Sequence, residues 1–105
     1  MERTERVLKT TGQVCSVPAA IIRDRFRQPT VSRARAVAAI VMRDALGLSS
    51  TQIAEVLKRS HSSVLELVAS YENHQQVQKD VAEVKRRLGE PESALAAETE
   101  SALDG

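Results

Sequence analysis

The chain holds one cysteine, two histidines and no tryptophan in 105 residues, and these shortages exclude several kinds of protein. Cys15 cannot form an internal disulfide, and such sparing use of cysteine fits a reducing cytoplasm. Beside apolar Val14 and Val17 it reads as a small buried hydrophobe rather than a reactive thiol. His61 and His74 are too few for a multi-histidine metal site from one chain, and no Cys/His cluster has zinc spacing. There is no G-x-x-x-x-G-K phosphate loop. No apolar signal segment follows Met1, and no apolar run is long enough to span a membrane. Nor does any stretch alternate as a strand would. His61 stands beside Ser62 and Ser63, a base next to two hydroxyls. Adjacent helix positions point around the cylinder rather than at each other, and no acid is placed to orient the ring. The expectation is therefore a non-enzyme with no metal, no cofactor and no membrane.

What is present is charge, unevenly spread. Residues 1–88 carry all fifteen Lys and Arg against nine of the fourteen acids, leaving +6. Residues 89–105 carry the other five acids (Glu90, Glu92, Glu98, Glu100, Asp104) and no base, a net −5. A basic body with an acidic tail suggests a nucleic-acid-binding domain, 1–88, followed by a disordered segment, 89–105, free to take a protein partner. A solvated surface with a solubilising tail would carry the same charges.

The apolar periodicity predicts an all-α domain of about six helices. Residues 4–14 are weakly amphipathic, with Val7, Leu8 and Val14 on one side and Gly12 weakening the helix. Ser16 reads as the cap of a short buried helix over Ala19, Ala20, Ile21 and Ile22, with Pro18 in its first turn. Gln28-Pro29-Thr30 reads as a loop. A long helix then runs from Val31 to Leu46, closed by Gly47 at the C′ position. Its predicted buried side is Ala34, Val37, Ala38, Val41 and Ala45, broadened by Ile40 and Met42. Arg33 and Arg35 fall in its predicted first turn, where cations oppose the helix dipole, so the placement asks for another reason. Val77, Val81, Val84 and Leu88 stripe a last helix, ended by Gly89 and Pro91.

Between these lies the stretch with the strongest pattern, Ser49 to Tyr71. Ser49 and Gln52 fit a capping box, and Ile53, Val56 and Leu57 give the helix behind it one apolar face. Ser60 is a good cap for a second helix striped by Val64, Leu67, Val68 and Tyr71. Its first turn presents His61, Ser62 and Ser63. Ala54 and Val64, ten positions apart, have the small-then-branched spacing of a helix-turn-helix, which lets two helices cross closely.

These segments together resemble the C-terminal DNA-binding domain of the bacterial replication initiator DnaA, of the Trp-repressor-like helix-turn-helix superfamily. That domain carries a basic loop, a long helix opening on an A-R-x-R-like element, then S-L-x-x-I-G, then D-H-T-T-V. The matching segments are Arg25-Phe-Arg27, Val31 to Ala38, Leu48 to Ala54 and Ser60 to Val64, in order and at nearly the same spacing. The resemblance implies that Ser60, His61, Ser62 and Ser63 face base edges in the major groove, and that Arg27 reaches the minor groove. It implies DNA-backbone contacts for Arg25, Arg33, Arg35, Arg43, Lys58 and Arg59. Three departures bear on the target sequence. Ser60 replaces the signature aspartate, Lys58-Arg59 replace a Gly-Gly turn, and both threonines are serines, which lack the methyl that can touch a thymine methyl.

The function so implied is sequence-specific binding of double-stranded DNA, with no ATPase domain in the chain, as in a small bacterial or phage regulator of transcription or replication associated with the nucleoid. The alternative is a protein-interaction adaptor docking through the last helix or the acidic tail. A further possibility is a homodimer through Val77, Val81, Val84 and Leu88.

Overall fold

The computed structural model describes residues 2–23 and 28–89, which form six α-helices and no β-strand. These are α1 (Glu2–Cys15), α2 (Ala19–Ile22), α3 (Pro29–Leu46), α4 (Ser50–Leu57), α5 (His61–Tyr71) and α6 (Gln75–Gly89). Arg25, Arg27 and the acidic tail from residue 90 lie outside the described residues.

Helix α3 is the axle of the domain. It packs against α1, α2, α4, α5 and α6, and every residue from Ala34 to Met42 is buried. The predicted one-sided stripe is thus corrected to burial on all sides, while Ala45 is exposed. Alanine accounts for this geometry. Ala34, Ala36, Ala38 and Ala39 are fully buried and leave room for neighbouring backbones around one helix. The helix also starts earlier than its apolar pattern suggests. Pro29 occupies the first helical turn, where its missing N–H costs nothing and its fixed φ suits the helix. Gly47 closes the far end in the left-handed region at φ 68°, as its position predicts.

The α1–α2 connection corrects a local expectation. Ser16 does not cap α2; it sits at φ 60° as the left-handed residue closing α1, and Pro18 precedes α2. The N–H of Val17 then reaches back to the Gly12 carbonyl at 3.0 Å, the long bond of a Schellman motif. That fold-back brings the Val17 carbonyl within 2.5 Å of where a Cβ on Gly12 would stand. The glycine that weakens the helix is the one this turn requires.

Helix α6 lies against α1 and α3, with Val77 and Val84 fully buried and Val81 nearly so. Leu88 is packed at the edge of the same core. The stripe proposed for a homodimer is therefore already occupied within one chain. Withdrawing it would forfeit about 1.5–3 kcal/mol for each valine. Arg6 bonds to the Leu88 carbonyl at 3.4 Å and Lys85 to Asp44 at 2.9 Å, tying the end of α6 to α1 and α3.

Candidate nucleic-acid interface

Helices α4 and α5 are set by local chemistry. Both halves of the capping box form: the Gln52 N–H donates to Ser49 Oγ at 3.2 Å, and the Ser49 N–H donates to Gln52 Oε1 at 2.9 Å. Helix α4 ends in a second Schellman turn. Lys58 takes the left-handed conformation at φ 57°, and the Arg59 N–H bonds to the Ala54 carbonyl at 2.9 Å. A lysine thus holds a conformation that glycine adopts without strain. Ser60 caps α5, accepting from the Ser63 N–H at 3.1 Å. Its hydroxyl also donates to Ser63 Oγ at 2.9 Å. Ala54 and Val64 are both buried, so the small-then-branched pair does mark the crossing of the two helices.

The inward side of α5 is fixed by Val64, with Leu67, Val68 and Tyr71 half-buried along it. Its opening turn faces out: His61, Ser62 and Ser63 are all exposed. No other described residue engages the side chains of His61 and Ser62. The first-turn N–H groups point the same way, giving this end a positive potential suited to anions. Two further residues belong to the outward side, Leu65 and Glu66, both exposed. They stand three and four positions beyond Ser62, so helical spacing alone could have found them.

The expected cations divide into separate groups. Lys58 is exposed, and Arg59 is half-buried beside it. Arg59 lines a cleft of about 190 Å³ with Arg35, Ser63, Val64 and Leu67, next to the opening of α5. Arg35 itself is only 5% exposed, and its Nε donates to the Ile22 carbonyl at 2.9 Å. An outward backbone contact is thus not its place in the structure; the α2 end and α5 close over it. Arg33, two positions away, is turned about 200° around the helix. It faces α1 and α6, in a cleft with Cys15, Gln76 and Asp80. Because α3 begins at Pro29, neither arginine lies in the first turn, and the conflict with the helix dipole largely disappears. Arg43 lies at the opposite end of α3, bonded to Asp44 at 2.8 Å and Glu72 at 3.4 Å. The hydrogen bond from Arg43 lowers the Asp44 carboxyl below its usual value, with Lys85 adding to the effect.

Cys15 is half-buried, and its Sγ donates to Asp80 at 3.7 Å. Burial, then the Asp80 carboxylate, push its thiol up to about 12. No three His, Cys, Asp or Glu side chains among the described residues could hold a metal ion, and no described helix is long and apolar enough to cross a membrane.

A capped helix pair with a buried crossing and an exposed polar opening turn defines a helix-turn-helix protein. Residues 4–70 match the family model described as the bacterial dnaA protein helix-turn-helix, and the chain belongs to that family. Such domains are non-catalytic, and membership supports a DNA-binding, regulatory function. The matched segment runs from most of α1 to most of α5, while α6 beyond it completes the core. A search among curated proteins gave no significant match.

Proposed function

We propose that the protein binds double-stranded DNA at particular sequences by laying the opening turn of α5 in the major groove. The observation that carries this reading is the exposed, unengaged pair His61 and Ser62 at the start of a helix whose other side is locked into the core. The imidazole and the hydroxyl each donate and accept, the two capacities needed to read base edges. Ser60 and Ser63 hold the turn through their mutual hydrogen bonds and offer their remaining capacity to the same groove.

Arg27 reaches the adjacent minor groove, where a narrow groove concentrates negative potential. Arg25, Lys58 and Arg59 contact phosphates, which fix register without reading sequence. Arg33 and Arg43 lie on other sides of α3, so they contribute long-range attraction more than contacts in the same footprint. Arg35 acts as a structural anchor beneath the site. DNA as partner implies a cytoplasmic protein on the nucleoid, regulating transcription or replication.

Equilibrium binding to a duplex across a salt series tests the electrostatic half. Four cations on the duplex, three at phosphates and Arg27 in the minor groove, give a slope of log affinity on log salt of about −3 to −4. Binding that does not change with salt contradicts the reading.

A further inference from the structure

Among the described residues, one large apolar side chain stands exposed: Leu65, at 50%. A lone exposed leucine on an ordinary surface needs no explanation. This one lies on α5, four positions after His61 and three after Ser62, so it stands over both on the same side of the helix. Ala69, a further turn on and also exposed, leaves space beside it. The inward residues Val64, Val68 and Tyr71 already supply the packing that holds α5. Leu65 stands outside that core cluster and extends the polar opening turn with an apolar surface.

The major groove has one apolar feature, the C5 methyl of thymine. We infer that Leu65 is a specificity-determining residue that packs against a thymine methyl one step along the groove from the bases met by His61 and Ser62. This rests on the proposed docking of α5. It also bears on the two serines, which lack methyls of their own: Ser62 and Ser63 supply hydrogen bonds, and the apolar part of the readout moves one turn along the helix to Leu65.

The test uses the full chain and its best duplex from selection on random sequences. Each dT of that duplex is replaced singly by deoxyuridine, which removes only the C5 methyl. At one or two positions in the half contacted by α5, the unaltered protein should lose about fourfold in affinity, the worth of one buried methyl. Leu65→Ala should bind the thymine duplex about fourfold more weakly and show no further loss with deoxyuridine. Because Leu65 is exposed, its variant should melt where the parent does, which separates lost contact from lost fold. Equal deoxyuridine sensitivity in both proteins overturns the inference, as does sensitivity in neither. So does a preferred site with no thymine opposite α5. Selection that enriches no sequence would instead remove the proposed function, and this inference with it.

Discussion

Arg35 and Ile22, thirteen positions apart, are joined by a buried hydrogen bond of 2.9 Å from the arginine Nε to the isoleucine carbonyl. The bond pins the end of α2, just before the basic residues Arg25 and Arg27, to the second turn of α3. The same arginine lines the cleft at the base of α5. It therefore connects the two parts of the chain assigned to DNA. Its charge is directed inward, unlike that of the exposed Lys58.

Replacing Arg35 should consequently be felt as stability first. Arg35→Ala leaves the Ile22 carbonyl without this donor and empties a packed space, for a loss of about 2–3 kcal/mol. In a domain of this size that lowers the melting temperature by on the order of 10 °C. Arg35→Lys should recover little, since lysine has no equivalent of Nε. Unchanged melting with weakened DNA binding would return Arg35 to the role of a surface contact.

Gly12→Ala sets two effects against each other. Alanine favours a helix by about 1 kcal/mol over glycine. The new methyl would meet the Val17 backbone carbonyl at 2.5 Å, and a backbone atom in a turn cannot step aside cheaply. Overpacking of this kind costs about 1–3 kcal/mol, so the net change should be a destabilisation. Denaturant unfolding decides the sign; a stabilised variant would mean that the α1–α2 turn is not held as described.

Lys58→Gly should move stability and binding in opposite directions. Glycine relieves the left-handed strain at φ 57°, worth about 1 kcal/mol of folding free energy. It also removes an exposed cation beside α5, reducing the salt slope of DNA binding by about 1. Thermal melts and salt titrations on one preparation measure both. A variant that gains stability and keeps its slope would remove Lys58 from the phosphate contacts.

Cys15 should resist alkylation at pH 8.5 in the folded protein and react readily once unfolded. Its thiol is pushed up from its ordinary 9.0 to about 12, so the folded state keeps a proton that the unfolded state releases. Its contribution to stability is full below about pH 9 and declines as the pH rises toward 12. Comparison with Cys15→Ala isolates this decline from the titration of the lysines. Fast labelling of the native protein would contradict it.

The helix-turn-helix was legible in the sequence because its determinants are local. The Ser49–Gln52 box and the Ser60 cap each act within one turn of chain, and the Ala54–Val64 spacing spans only ten residues. What escaped was decided by distant partners. Periodicity shows that α6 buries a valine stripe, but not whether another chain or α1 and α3 cover it. The alanines of α3 read as one face, and only the arrangement of five other helices around it buries them all. Arg35 reads as a surface charge until the end of α2 closes over it. Leu65 and Glu66 are legible from helical spacing alone, three and four positions beyond Ser62 on the outward side of α5.

The most direct test of the account compares sequence selection from random duplexes by the parent and by His61→Ala/Ser62→Ala. The parent should enrich one short motif. The double variant, with its cations intact, should bind with the same salt slope and enrich none. Recovery of the same motif by both proteins would contradict the assignment of base reading to the opening turn of α5.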